Sequence, residues 1–136
     1  MPDPLLLALL SAADAFRVRM DQALDAVGLS PARYEVLAAM AAANAPLALS
    51  ELAERLSCVR SNVTQLVDRL EADGLVRRVS DATDRRVVRA TLTDAGRAAA
   101  AAGARQVAAV EAEFFDALPA ADRDTLARLL GVFGAR

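Results

Sequence analysis

The side chains with the clearest binding chemistry lie between residues 60 and 86 of the 136-residue chain. Apolar residues recur at helical spacing from Val63 to Leu70, which leaves the opposite side of that helix to polar groups. Amide and hydroxyl side chains can hydrogen bond to base edges, and arginine binds phosphate or guanine through its planar fork. The candidates on this polar face are Arg60, Ser61, Asn62, Thr64, Gln65 and Arg69.

A second set of candidates, Asp84, Arg85 and Arg86, lies in a short turn. An arginine at the tip of a hairpin can enter a DNA minor groove, where negative potential is concentrated. Asp84 could hold a neighbouring arginine in place. Taken alone, the polar helix face is an ordinary solvated surface and the Asp-Arg-Arg run is a charged turn. Their combination favours DNA binding.

The elements around these side chains form a recognisable order. A short helix at residues 49–56, which Ser50 is expected to cap, precedes the polar helix, and Gly74 ends the latter. β-Branched residues then mark two strands on either side of the turn. The first strand also carries Arg78, a further candidate for DNA contact. This order predicts a winged helix-turn-helix, which holds one helix in a DNA major groove.

The charge of the chain is unevenly distributed. The net charge is −2, yet residues 60–97 carry eight arginines and six acidic residues, a net +2. Residues 1–59 carry −3 and residues 98–136 carry −1. Positive charge therefore concentrates in the segment predicted to contact DNA. All basic residues are arginine, a bias that we attribute more to genome composition than to phosphate binding.

Helices are predicted on both sides of this segment. Residues 5–27 show an apolar stripe at helical spacing, and a second helix begins at Ser30 and Pro31. After the wing, Thr93 is expected to cap a long alanine-rich helix, and Pro119 begins the last one.

The predicted fold class is therefore mainly α with a small β wing, in one domain that covers residues 1–136. A DNA-binding module occupies about residues 30–93, and residues 1–28 and 94–136 form long terminal helices. These helices carry more apolar surface than a module of this size can cover. That excess favours burial against a second copy over packing on their own chain.

Several classes of function are disfavoured by composition. The chain has no histidine, one cysteine and no glycine-rich phosphate loop, so the usual nucleophile and base pairs of an enzyme are missing. No Cys/His metal site can form, and we expect neither a catalytic residue nor a cofactor. No apolar run is long enough to span a membrane, and no signal peptide is recognisable, so we expect a cytoplasmic protein.

At this point the sequence resembles the MarR family of winged helix-turn-helix transcription regulators, over essentially the whole chain. The motifs are specific together rather than singly. The stretches that carry the resemblance are Leu49-Ser50-Glu51-Leu52-Ala53, residues 63–71, Gly74-Leu75-Val76-Arg77-Arg78, Asp84-Arg85-Arg86 and Leu92-Thr93-Asp94-Ala95-Gly96.

The resemblance implies a homodimer, joined by its first and last helices, that binds a short palindrome in double-stranded DNA. Such regulators usually repress, and many release DNA when a small ligand or an oxidant is sensed. Arg17, Met20 and Tyr34 are candidates for lining a ligand pocket, although structural roles are commoner for such residues. Val59 departs from the family pattern, because a Ser, Thr or Asp cap is usual there.

Two alternatives stay open at the level of sequence. A winged helix can serve only for protein–protein contact, although Arg85 and Arg86 argue against that use. A regulator could also sense oxidants through Cys58. The commoner role for a cysteine in such a tight turn is that of a small buried residue.

Overall fold

The computed structural model describes residues 1–56 and 60–134, and the side chains of Arg60 and Ser61 lie outside the description. The predictions made for Cys58 and Val59 therefore fall outside the described residues. The described part of the chain forms helices α1 to α6 and strands β1 to β3. In chain order they are α1 (Pro4–Asp25), α2 (Pro31–Ala43), β1 (Leu47–Ala48), α3 (Leu49–Arg55), α4 (Arg60–Ala72), β2 (Val76–Ser80), β3 (Val88–Leu92), α5 (Asp94–Phe115) and α6 (Ala120–Gly134).

Side chains just before the helices determine where several of them begin. Ser30 Oγ accepts a hydrogen bond from the backbone N–H of Arg33 (3.2 Å), and Pro31 occupies the first helical position of α2. Thr93 caps α5 in the same way. These accepted bonds satisfy backbone donors that have no partner inside the helix. The caps predicted at Ser30 and Thr93 are therefore confirmed.

The prediction that Ser50 caps α3 is wrong. Helix α3 already begins at Leu49, and Ala48 stands at the N-cap without a side-chain hydrogen bond. The reason is the short strand β1, which the sequence did not reveal. Leu47 and Ala48 pair with Ala90 and Arg89 of β3, so extended backbone continues to Ala48 and the helix starts directly after it.

The wing is an antiparallel hairpin of β2 and β3 to which β1 adds a third strand, in the order β1-β3-β2. Val76 pairs with Leu92 and Arg78 pairs with Ala90. Because side chains alternate between the faces of a strand, these four residues share one face of the sheet. Val76, Ala90 and Leu92 are buried on that face against the helices.

The hydrophobic core lies among α2, α3, α4 and the sheet. Its largest fully buried members are leucines and valines, and Val36 and Leu37 of α2 are both inaccessible to solvent. Burying one such side chain contributes roughly 1.5–3 kcal/mol relative to exposure. Besides the sheet residues named above, the other core residues are Leu24, Leu29, Met40, Leu47, Leu52, Leu56, Val63, Val67, Leu70 and Ala100.

The long helix α5 packs against both α1 and α2. The rings of Phe16 and Phe114 stack with centroids 4.0 Å apart, and Arg19 Nε donates to Glu113 Oε2 at 2.9 Å. On the α2 side, a Cβ added at Gly103 would lie 2.4 Å from the ring of Tyr34. Glycine at that position therefore lets the two helices approach closely.

The start of α5 is joined to the turn that follows α4. Gly74 ends α4 with φ of 76°, a left-handed conformation that favours glycine. Thr93 Oγ1 donates to the Gly74 carbonyl at 2.7 Å and accepts from the Gly96 N–H at 3.0 Å. A Cβ added at Gly96 would lie 1.9 Å from the carbonyl oxygen of Leu75. Only glycine fits there without a backbone shift.

We expect Gly96→Ala to lower the free energy of unfolding by about 1–3 kcal/mol, the usual cost of overpacking. Gly131→Ala in α6 is the matched control, because a Cβ there meets no atom within 4 Å. The control should be neutral or more stable by up to about 1 kcal/mol, since alanine favours helix. Urea unfolding of both variants provides the measurement. Equal stability of Gly96→Ala and the parent would show that α5 does not start against Leu75.

Candidate nucleic-acid interface

Helix α4 presents the predicted polar face to solvent. Val63, Val67 and Leu70 are fully buried on its other side, where the core fixes the rotation of the helix. The predicted candidates on this face whose side chains are described, Asn62, Thr64, Gln65 and Arg69, are all exposed, as are the acidic residues Asp68 and Glu71. Arg60 and Ser61 form the first turn of the helix. The polar face predicted from the sequence is therefore confirmed, because apolar residues at helical spacing turn inward and leave the opposite side of the helix exposed to solvent.

Two hollows lie beside α4, one on each side. Asn62, Gln65 and Arg69 line the first together with Ser30 and Arg33 at the start of α2. The second hollow is lined by Thr64, by Arg86 of the wing, and by Ala48, Leu49, Ser50, Val87 and Val88. The polar face of α4 therefore lies between the first turn of α2 and the wing, and Thr64 and Arg86 line a common hollow.

The tip of the wing is organised by Asp84. Its Oδ1 accepts hydrogen bonds from the Arg86 backbone N–H (3.0 Å) and from Arg86 Nε (3.2 Å). These bonds lower the pKa of the Asp84 carboxyl, the side-chain bond more than the backbone one. The Arg86 side chain nevertheless stays 91% exposed. The contact thus orients an arginine at the tip without covering it, as the sequence predicted for Asp84.

Arg78 is placed differently from the other candidate cations. It lies on the face of β2 that packs against the helices, and its side chain is 25% exposed. Nη1 donates to Glu71 Oε1 at 2.8 Å, and Nη2 donates to Asp68 Oδ1 at 2.5 Å. In the described part of the chain Arg69, Arg77 and Arg85 have no such carboxylate partner.

Arg89 of β3 makes a contact that sequence reasoning missed. Its Nη1 donates to Glu51 Oε1 of α3 at 3.0 Å, and its Nε lies 3.8 Å from Asp81 Oδ1. The two partners are 38 and 8 positions away along the chain, so neither helical nor strand spacing could indicate them. Together with Arg78, this residue connects both strands of the wing to the helix-turn-helix.

A cavity of about 710 Å³ lies on the other side of the module, between α2 and α5. Tyr34 lines it, whereas Arg17 and Met20 do not. Arg17 pairs instead with Asp14 and Asp21 on its own exposed side of α1, and Met20 packs against the core. The remaining lining residues are Ala38, Met40, Ala41, Asn44, Ala45, Pro46, Thr91, Leu92, Arg97, Ala100, Ala101 and Ala104.

Comparison with known proteins shows that the chain is similar to members of one family. The sequence pattern of the MarR family matches residues 27–87. The transcriptional repressor MdtR of Bacillus subtilis is 39% identical over 77 residues, which are 57% of this chain and 49% of that protein. The crystal structure of the MarR C80S mutant from Escherichia coli, complexed with operator DNA, matches with a TM-score of 0.83 and 26% identity, over 96% of this chain and 93% of that one. The chain is thus similar to MarR-family proteins in the sequence of its central part and in its backbone over most of its length.

Other MarR-family structures are similar to this chain over most of its length. CouR from Rhodococcus jostii, solved with bound p-coumaroyl-CoA, matches with a TM-score of 0.81 and 25% identity, over 94% of this chain and 90% of that one. The aligned region, by contrast, spans about half the length of the curated relatives. The predicted resemblance to the MarR family and the mainly helical winged fold are both confirmed. None of the helices in the described residues is long and apolar enough to cross a membrane.

The geometry of the wing tip predicts how Asp84 titrates. Since its pKa is lowered, the contact with Arg86 is complete above the ordinary carboxyl range and is lost as pH falls through the lowered pKa. Arg86→Ala should raise the Asp84 pKa part of the way to its ordinary value, because the backbone N–H at position 86 remains. Carbon-detected NMR titration measures this. Arg85→Ala is the control and should leave the pKa unchanged; equal shifts in both variants would contradict the specific contact.

Proposed function

We propose that this protein is a cytoplasmic, sequence-specific regulator of the MarR type that binds double-stranded DNA and acts as a repressor. The observation that carries the proposal is the polar face of α4 between α2 and an arginine-tipped wing. In this arrangement α4 enters the major groove and the wing reaches the adjacent minor groove. The similarity of the backbone to that of MarR in complex with operator DNA supports it.

The side chains divide into two kinds of contact. Asn62 and Gln65 carry amides on the exposed helix face and are proposed to contact base edges, which distinguish sequences in the major groove. Thr64 and Arg69 are proposed to bind phosphates, which position the protein without selecting a sequence. The proposal retains Arg60 and Ser61 as contacts of the first turn, and Arg85 and Arg86 as minor-groove contacts of the wing.

The proposal includes a homodimer that binds a palindromic site. Helix α6 has no buried residue in the described chain, and its apolar side chains are exposed. The first part of α1 is exposed in the same way. Apolar patches of this kind favour a second copy as the covering surface. The large exposed side chains are Leu5, Leu6, Leu7, Leu10, Leu126, Leu129, Leu130, Val132 and Phe133.

We further propose that a small molecule bound between α2 and α5 releases the DNA. The cavity there is large enough for a ligand, since typical sites occupy about 300–1,000 Å³. Most of its lining residues are apolar, and its polar groups are the side chains of Tyr34, Asn44, Thr91 and Arg97. Arg97 Nη2 lies 3.7 Å from Asp94 Oδ1, and the Arg97 side chain is 62% exposed. An anionic group of a ligand could therefore compete with Asp94 for the guanidinium. A ligand acts by binding the released state more tightly than the DNA-bound state.

Substitutions should separate the two kinds of DNA contact. Arg86→Ala should weaken binding to all duplexes alike and make the plot of log affinity against log salt shallower by about one unit. Gln65→Ala should cost about 1–3 kcal/mol on the selected site and less on scrambled DNA. Fluorescence titrations at several salt concentrations, on a site selected from random duplexes, measure both.

The same titrations test the competing function. If the parent protein binds no duplex and Arg86→Ala behaves like the parent, the result would favour a winged helix used for protein–protein contact. Regulation by an oxidant through Cys58 stays a prediction from the sequence. Peroxide should leave DNA affinity unchanged in the parent and in Cys58→Ala if that thiol is only a packing residue.

The proposed dimer has a measurable consequence. Sedimentation at micromolar concentration should give the mass of two chains, and selected sites should be palindromes with half-sites about 10 bp apart. The double variant Leu129→Asp, Phe133→Asp should be monomeric and should lose affinity for the whole palindrome. Ala42→Glu, on an exposed position of α2, is the control. A monomeric parent would contradict the proposed dimer.

A further inference from the structure

The position of Arg78 suggests a role other than contact with DNA. Its neighbours on the same face of the sheet, Val76, Ala90 and Leu92, are buried against the helices. Arg78 lies where this buried face meets solvent, at the side of α4. Its guanidinium is therefore directed toward the helix and away from the free end of the wing.

Three hydrogen bonds hold Arg78 to α4. Besides the two guanidinium bonds to Glu71 and Asp68, the Arg78 backbone N–H donates to Glu71 Oε2 at 3.0 Å. Asp68 and Glu71 are three residues apart and so lie on one side of the helix. A planar guanidinium with several fixed donors suits two such carboxylates better than a lysine would. We call Arg78, Asp68 and Glu71 the wing clamp.

The titration behaviour of Arg78 agrees with this geometry. Partial burial acts to lower the pKa of the Arg78 guanidinium, but the hydrogen bonds and charges of Asp68 and Glu71 outweigh burial, and the pKa is raised. The group therefore remains charged and paired. A phosphate could recruit Arg78 only by displacing two carboxylates, which would then face the DNA uncompensated.

On the proposed function, we infer that Arg78 is a positioning residue that sets the angle between the wing and the helix inserted into the major groove. The wing tip begins a few residues beyond the clamp, about 10–15 Å away at roughly 3.3 Å per residue. A tilt of about 10° at the clamp would move the tip by about 2–3 Å, which is enough to break a hydrogen bond whose range is about 2.7–3.2 Å. Helix and wing could then not both reach their groove contacts.

A second contact limits the same motion from the other strand. Arg89 of β3 bonds to Glu51 of α3, so each strand of the wing is held to a different helix. The clamp nevertheless stands alone in joining the wing directly to α4 among the described ion pairs. Core packing of Val76 and Leu92 holds the sheet near the helices, and Arg78 adds the polar contact that sets the angle between α4 and the wing.

The acidic partners make the inference testable, because the two possible roles of Arg78 predict opposite signs. If Arg78 bound phosphate, Asp68→Asn and Glu71→Gln would free it and remove negative charge near the DNA, and binding would tighten. If Arg78 positions the wing, both variants should weaken binding to the selected site about five- to tenfold. Arg78→Gln should weaken it to a similar degree without changing the salt slope, whereas a lost phosphate contact changes it by about one unit.

Arg77→Gln is the matched control, since Arg77 is the neighbouring exposed arginine of β2 and the charge change is identical. We expect Arg77→Gln to leave the wing angle unchanged. The wing angle is measured directly from residual dipolar couplings of the β2 and β3 amides relative to those of α4. Arg78→Gln should change these couplings and Arg77→Gln should not. Arg78→Lys keeps the positive charge but lacks the planar guanidinium, so it should give couplings between those of the parent and Arg78→Gln. It replaces Arg78→Gln in this measurement if that variant does not fold.

Tighter or unchanged binding by Asp68→Asn and Glu71→Gln, or couplings that are the same in Arg78→Gln and the parent, would overturn the inference. A parent that binds no duplex would contradict the proposed function instead. In that event the couplings still decide whether the clamp sets the wing angle, so the two failures are distinguishable.

Discussion

The junction between Gly74 and Gly96 is the constraint on which the arrangement of the molecule depends. Here the Thr93 side chain bonds to the Gly74 carbonyl, the Thr93 N–H donates to Leu75 at 3.1 Å, and Gly96 lies against the Leu75 carbonyl. The end of α4, the start of β2 and the start of α5 meet at this point. The direction of the long helix α5 is thereby fixed relative to α4 and the wing, the two elements proposed to contact DNA.

Charge is used in two separate ways on the wing. Arg78 and Arg89 are each held by carboxylates and connect the hairpin to helices, while Arg85 and Arg86 extend from its tip. The excess of positive charge along residues 60–97 therefore does not show which arginines are available to a ligand. Arg86 at the tip stays 91% exposed although it pairs with Asp84, whereas Arg78 is 25% exposed. A net negative chain can still present a local positive surface.

Features with a local cause were predictable from the sequence. The caps at Ser30 and Thr93 and the left-handed end at Gly74 each depend on residues within three positions. Strand β1 was missed because two residues become a strand only through pairing with β3, some 40 positions later. That pairing also moved the start of α3 from the expected cap at Ser50.

The candidate site was predictable to the same extent. The exposed face of α4 followed from apolar spacing, and the bond between Asp84 and Arg86 followed from their nearness in the turn. Arg78 and Arg89 lie on strands and pair with acidic residues of α4 and α3. These pairings depend on tertiary packing, which no spacing rule in the sequence describes. A ligand pocket was expected only from the resemblance, and Tyr34 alone of its three candidates lines the cavity, because the walls come from segments up to 70 positions apart that meet only in the fold.

The alanine-rich wall of that cavity has a consequence for how the chain could diverge. Ala38, Ala41, Ala101 and Ala104 all line it without being buried in the core, and only Ala100 is. A larger side chain at one of the four would reduce the space by a methyl group or two while leaving the packed residues in place. On the proposed function, descendants of this chain could therefore change the ligand that they bind one substitution at a time, while the helix and wing proposed to contact DNA stay unaltered.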